Sequence, residues 1–264
     1  LRQHGVSRRP RRHTHSTAMK KIIIVGASSG IGLRAAEDFA AAGWQVGMAA
    51  RRLEPMQALQ TQYPDTIKVS AIDVTAPDAA RKFGDLIEEM DGMDTLLYCS
   101  GTGFSDPQLD DAKLTDTLAV NVVGFARIVS EAYKYFRATA NRTQGQIAVV
   151  TSVAATKGLG IAAAYSASKR FQVQFINSLE QLAYTQQVNV AFTDIRPGFI
   201  RTPLLDPDKD YPMIMTLDEA SRLVERAVVK RRRVAVIDSR WRIVNALWNL
   251  IPQRLWRHVD ITFK

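Results

Sequence analysis

Four consecutive β-branched residues, Ile22-Ile23-Ile24-Val25, run directly into Gly26-Ala27-Ser28-Ser29-Gly30-Ile31-Gly32 and then into a helical pattern over 33–42 closed by Gly43. An apolar run with no polar alternation suits a strand covered on both faces, which is the habit of parallel sheets. Parallel neighbours need a long crossover between them, usually a helix. The rest of the chain supplies that pattern. Short apolar runs at 46–49, 67–72, 95–99, 146–151 and 189–195 alternate with helical patterns over 55–62, 77–90, about 111–139 and 163–184. An edge strand over 234–237 and a helix over 240–250 are expected beyond them. The predicted architecture is α/β, a doubly wound parallel sheet with helices on both faces in a single domain.

Composition removes several alternatives. At 264 residues, 46% hydrophobic and 23% charged, the chain can bury a core of its own. Cys99 is the one cysteine, which excludes an internal disulfide framework and a Cys-rich zinc site. A reducing, cytoplasmic setting is expected, with no metal. No apolar run approaches the ~18–20 residues of a membrane span. The net charge of +9 is concentrated at the two ends. Residues 1–21 hold seven Lys/Arg and no acid, and residues 226–264 hold ten against Asp238 and Asp260, so the body between is mildly acidic. That distribution argues against a uniform nucleic-acid surface, and no specific nucleic-acid partner is expected. Residues 1–18 read as a disordered basic extension ahead of a natural start at Met19, the alternative being an arm that touches anions non-specifically. The expected layout is a catalytic domain over 19–238, with a substrate lid at 203–217, and a basic amphipathic tail over 239–264.

A glycine-rich turn between a strand and a helix allows close approach of a pyrophosphate, which the helix N-terminus then meets with free N–H groups and a positive dipole. The spacing here, G-x3-G-x-G, closely resembles the glycine motif of the short-chain dehydrogenase/reductase family. The family's other motifs follow in order: Asp73-Val74, Asn121 in Asn-Val-Val-Gly, Ser152, Tyr165-Ser-Ala-Ser-Lys169 and Arg196-Pro-Gly-Phe-Ile-Arg-Thr202. The resemblance covers about residues 19–225, and Ser152-x12-Tyr165-x3-Lys169 is its most specific part.

Tyr165 and Lys169, four apart on a helix, project from one face. A phenol with a pKa of about 10 exchanges protons poorly near neutrality, and a neighbouring ammonium favours its ionised form. Tyr165 is therefore the expected general acid in carbonyl reduction, and the base in reverse. Ser152 would hydrogen-bond the substrate oxygen. The resemblance further implies that Lys169 binds the nicotinamide ribose, and that Asn121 holds a water linking Lys169 to solvent. It implies cofactor contacts from Gly26, Ser28, Ser29, Gly30, Ile31, Gly32, Asp73, Val74, Ser100, Gly101, Pro197, Gly198, Ile200 and Thr202. One departure stands out: Tyr98-Cys99-Ser100-Gly101 replaces the family's Asn-Asn-Ala-Gly, so a small thiol takes the place of a bracing amide.

Cofactor choice is read at the end of the second strand. Members that use NAD place an acid there; here stand Ala50, Arg51 and Arg52, which suit a 2′-phosphate unless the two arginines are merely solvated. NADPH/NADP+ is favoured over NADH. Leu204, Leu205, Tyr211, Met213 and Ile214 suggest an apolar substrate pocket, or equally a lid packed on the body. In the tail, Ile243, Leu247 and Leu250 share a stripe, and Trp241 and Trp248 lie seven apart. Such a helix could meet a membrane surface, pack on a partner subunit or roof the site. The overall expectation is an NADPH-dependent reductase interconverting a ketone and a secondary alcohol on an apolar or lipid-like small molecule, as a homodimer or homotetramer. A 3-oxoacyl-carrier reductase and a non-catalytic NADPH-sensing regulator are the rivals.

Overall fold

The computed structural model describes residues 19–139, 144–202, 205, 208 and 210–261. The basic segment 1–18, the lid residues Pro203, Leu204 and Pro207, and residues 262–264 of the tail lie outside them.

Seven strands form one sheet in the order β3-β2-β1-β4-β5-β6-β7. They are β1 (Lys21–Val25), β2 (Gln45–Ala50), β3 (Ile67–Ala71), β4 (Thr95–Tyr98), β5 (Gly145–Val150), β6 (Val190–Arg196) and β7 (Val234–Val236). All neighbours pair in parallel, with Ile23 opposite Gly47 on one side and Ile24 opposite Leu97 on the other. The alternation along β1 divides the core. Ile23 and Val25 join Phe83, Ile128 and Ile176 on one face of the sheet. Ile22 and Ile24 join Phe39, Met56 and Val224 on the other. Both faces are sealed, which is why β1 carries no polar alternation.

The helices on the first face are α3 (Ala79–Glu89), α5 (Phe125–Ala138) and α6 (Ala163–Gln186); on the second are α1 (Gly30–Ala41), α2 (Glu54–Gln62) and α7 (Leu217–Val229). Two local features matter for function. Helix α1 begins at Gly30 rather than 33, so the second half of the glycine turn forms its first helical turn, with unbonded N–H groups facing the crevice. The helices expected over about 111–139 are α4 (Asp111–Leu118) and α5, joined through a π turn, Ala119–Gly124, that contains Asn121. Such π turns are rare, sit mostly as single turns within α-helices and are frequent at functional sites. Helix α7 was not anticipated, although its signal is present. Thr216 accepts from the Glu219 N–H while Glu219 accepts from Thr216 N–H, a reciprocal cap written as Thr-x-x-Glu in the sequence.

The order reverses between β1 and β4, and open α/β sheets bind ligands at the carboxyl ends of strands beside such a reversal. Phe125, fully buried, supports that region from below, with its ring edge-on to Tyr98 at 5.2 Å and near Phe175 at 5.8 Å. Phe125→Ala is expected to cost about 3–5 kcal/mol of unfolding free energy, read from chemical denaturation. A loss below 1 kcal/mol would mean that this face of the core collapses freely around the void.

Candidate active site

At the carboxyl end of β1 the chain must turn beneath the next strand's loop. Gly26 has φ +89°, and a Cβ there would lie 2.5 Å from the Ser100 nitrogen, so no side chain fits. The close approach opens a shallow cradle above the start of α1, lined by Ser28, Ser29, Gly30 and Gly32. Arg51 and Arg52 are exposed at its rim, and Arg52 Nη2 stands 3.5 Å from Ser28 Oγ. Asp73 closes the far side, with Val74 following it. Burial raises the Asp73 carboxyl, but hydrogen bonds from the side chain and backbone of Thr75, together with the Arg51 charge, outweigh this and hold it below its ordinary range. Arg127 pins this loop by donating to the carbonyls of Val74, Thr75 and Ala76 at 2.9, 3.1 and 2.9 Å. A cradle that excludes a Cβ and carries N–H donors and two guanidinium groups at its edge fits a dinucleotide phosphate chain.

Beyond the cradle lies a cavity of about 470 Å³. Ile31, Gly101, Ser152, Tyr165, Lys169, Pro197, Gly198, Ile200 and Thr202 all line it, so residues spread across the chain meet in one place. Asn121 lies behind this wall and is fully buried. Its side chain is committed: Oδ1 accepts from Thr102 N–H at 2.9 Å, and Nδ2 donates to Thr102 O at 2.6 Å and Ser168 Oγ at 3.0 Å.

Lys169 is only 4% exposed and donates to Val150 O and to Gln172 Oε1, each at 3.1 Å. Gln172, one helical turn on and fully buried, donates through Nε2 to the Asn121 carbonyl at 3.0 Å. Its amide therefore spans Asn121 and Lys169, the two groups between which the resemblance assigned a water. Gln172 was not singled out from sequence; its i+3 spacing from Lys169, which puts both on one helix face, is the signal that could have found it. Asp194 was missed as well. It is a fully buried acid on β6, accepting from Thr151 Oγ1 at 2.5 Å and paired with Arg196 at 2.6 Å. An acid inside an otherwise apolar strand requires such partners, and that requirement was readable.

The electrostatics favour neutral forms. Burial pushes the Tyr165 phenol above its ordinary value, with a hydrogen bond to Ser152 pulling partly back. The Lys169 ammonium, 5.8 Å from the Tyr165 ring centre, is not what sets that balance. Burial lowers Lys169 itself to about 8, against partial compensation from Cys99 and Asp194. Burial likewise raises the Cys99 thiol to about 12, so at neutral pH it lines the cavity as a neutral thiol.

The remaining walls are aromatic and apolar. Phe104, Leu159, Phe199, Tyr211 and Met213 face the cavity, and Leu205 joins them. Ile214 is not among the lining residues, and Met215 pairs with Ile200 in a short bridge that ties the lid to the body. The outer wall is α8 (Ser239–Leu250), through Trp241, Val244 and Trp248, and beyond α9 (Gln253–Trp256) come Val259 and Ile261. Trp241 lies where a Gly198 side chain would be, 2.1 Å from an added Cβ, so Pro197-Gly198 serves as its seat. Trp241, Trp248 and Trp256 form an edge-to-face series at 6.2 and 5.2 Å. Of the three fates open to the tail helix, its tryptophan face roofs the cavity.

The comparisons agree with this geometry. The family model of the short chain dehydrogenases matches residues 20–211. An uncharacterized oxidoreductase of Mycobacterium tuberculosis is 30% identical over 252 residues, 90% of this chain and 96% of that one. A dehydrogenase/reductase SDR family protein 7-like protein of Dictyostelium discoideum is 27% identical over 256 residues, 89% of this chain and 78% of its own. Among solved structures, a short chain dehydrogenase from Burkholderia cenocepacia in complex with NADP superposes with a TM-score of 0.78 at 17% identity, covering 92% of this chain and 98% of that one.

A buried ammonium has a measurable consequence. In the unfolded chain Lys169 regains its ordinary value of 10.5. Between about 8 and 10.5 the unfolded state holds a proton that the folded state has released, so stability rises with pH through that window. Below it, folding bears the full cost of the buried charge. Lys169→Met is expected to melt no lower than wild type at pH 7, with wild type gaining on the variant as the pH is raised from 8 to 10. A gap that stays constant across those melts would remove the buried cation from the account.

Proposed function

The chain belongs to the short-chain dehydrogenase family and is an NAD(P)-dependent oxidoreductase of that type, and we propose that it uses NADPH to reduce a ketone on an apolar small molecule to a secondary alcohol. The observation that carries the substrate class is the cavity: Ser152 and Tyr165 stand as polar groups among Phe104, Leu159, Phe199, Trp241 and Trp248. A pocket with apolar walls and a few convergent polar groups selects an apolar ligand and orients one polar atom of it.

A reduced nicotinamide bound beside this cavity supplies the hydride for the carbonyl carbon. The chain's own residues handle the oxygen. Tyr165, its phenol kept protonated by burial, holds a proton at its hydroxyl and gives it to the oxygen as negative charge develops. Ser152 donates a hydrogen bond to the same oxygen. Lys169, held by Val150 O and Gln172 Oε1, presents positive charge near the Tyr165 ring and stabilises the phenolate left after transfer. NADPH is favoured because Ala50 removes the acid that would repel a 2′-phosphate, while Arg51, Arg52 and Ser28 offer donors at the rim. The NADP complex of the Burkholderia neighbour is consistent with that choice. A homodimer or homotetramer is the assembly that goes with this reading, and the exposed Leu118, Val123 and Leu182 on α4, the π turn and α6 support a covered surface there.

The test is oxidation of NADPH and NADH across a ketone panel running from small diketones to acyl thioesters and steroid-like compounds. Tyr165→Phe should lose turnover by on the order of 10²–10⁴-fold while still binding NADPH. Replacing Arg51 and Arg52 together with Ala should raise the KM for NADPH by roughly tenfold or more and leave that for NADH nearly unchanged. Tight NADPH binding without turnover on any compound would favour a sensor. Turnover confined to acyl thioesters would favour the carrier-linked reductase.

A further inference from the structure

Helix α8 is apolar on two opposite faces, and only one of them is covered. Trp241, Asn245 and Trp248 face the body, with Trp241 4% and Asn245 8% exposed. On the other side Ile243 is 64% exposed, Leu247 56% and Leu250 78%, one stripe at four- and three-residue spacing. The stripe continues past Pro252 into Leu255 and Val259, both exposed. An apolar helix stripe is ordinarily buried against another element. This one is also held firmly: Asn245 is paired with Thr156, Lys157 Nζ donates to Ile251 O at 2.8 Å, and Trp256 Nε1 donates to Gly158 O at 2.7 Å. The stripe is thus presented from a fixed base and cannot fold back onto the body.

Charge identifies what covers it. Arg242, Arg254 and Arg257 are exposed beside the stripe, and no ion pair engages them among the described residues. Residues 239–261 carry four arginines against the single Asp260. A second copy in a two-fold contact would bring the same cationic patch against itself. Apolar side chains rimmed by unpaired arginines match instead an anionic lipid surface, where the stripe enters the acyl boundary and the guanidinium groups meet headgroup phosphates.

We propose that the α8–α9 face docks reversibly on anionic membranes and opens the cavity toward the bilayer. Val259 lies both on the exposed face and in the cavity lining, so the mouth of the site and the docking surface share an edge. The proposal extends the apolar-substrate reading by naming where such a substrate is met. It is tested by vesicle binding, with folding checked by melting, so either reading can fail alone.

The experiment is cosedimentation of the full chain with phosphatidylcholine vesicles, with and without phosphatidylglycerol. Two combined variants run beside it: Ile243→Ser/Leu247→Ser/Leu250→Ser, and Arg242→Gln/Arg254→Gln/Arg257→Gln. All six residues are exposed and none lines the cavity, so circular dichroism and the melting temperature should match wild type and report intact folding. Wild type is expected to bind the phosphatidylglycerol vesicles, with partitioning reduced by roughly tenfold or more in the serine variant and by on the order of a hundredfold in the glutamine variant. The basic residues 1–21 attract anionic vesicles by charge alone, which makes the serine variant decisive: binding equal to wild type overturns the proposal. So does wild type that stays in the supernatant, or binding indifferent to lipid charge. A dimer in sedimentation equilibrium that the serine variant dissociates would assign the stripe to a second copy and overturn it as well.

Discussion

The site is organised around a cation that has been taken out of water. An ammonium at 4% exposure needs acceptors on every side that the solvent has left. Val150 O at the end of β5 provides one, and the Gln172 amide provides another. Gln172 is itself held by the Asn121 carbonyl in the π turn, which accepts from its Nε2. The Asn121 side chain is in turn spent on Thr102 and Ser168, which fixes the loop after β4 against α6. The geometry of β4, β5, the π turn and α6 thus converges on one nitrogen, and Tyr165 is carried into place on the same helix.

The second organising feature is the aromatic wall. Gly198 leaves room for Trp241, Trp241 stands against Phe199 at 5.5 Å, and Phe199 against Tyr211 at 4.7 Å. The lid and the C-terminal helix are therefore one surface rather than two, joined further by Trp241 Nε1 donating to Met213 O at 3.3 Å. Rings in this arrangement bury large area with little rotamer entropy to lose. They give the crevice an apolar aromatic wall whose outer side carries a second, uncovered apolar stripe.

Legibility in the sequence follows the range of the interaction. The strands, the turn at Gly26 and the Tyr165/Lys169 pair depend on neighbours within a few residues, and each was found from local pattern. The capping box at Thr216 was equally local and was overlooked beside the arginine run that follows α7. Gln172 and Asp194 are different. Each is defined by a partner dozens of residues away, Asn121 for one and Thr151 for the other, and the spacing alone does not say that those partners meet. The Tyr165 phenol shows the limit of pairwise reasoning: its lysine neighbour argued for a lowered value, whereas burial raises it.

By itself, the sequence determined the parallel α/β order, the glycine turn after β1 and the placing of Tyr165 and Lys169 on one helix face, because backbone periodicity, glycine stereochemistry and helical spacing are local properties. Only the tertiary structure decided that the two faces of α8 have different fates. A helical wheel offers both the tryptophan stripe and the Ile243/Leu247/Leu250 stripe for burial; the space above Gly198 and the acceptor at Met213 fit the Trp241 indole, and that selects which stripe turns inward and which is left facing outward.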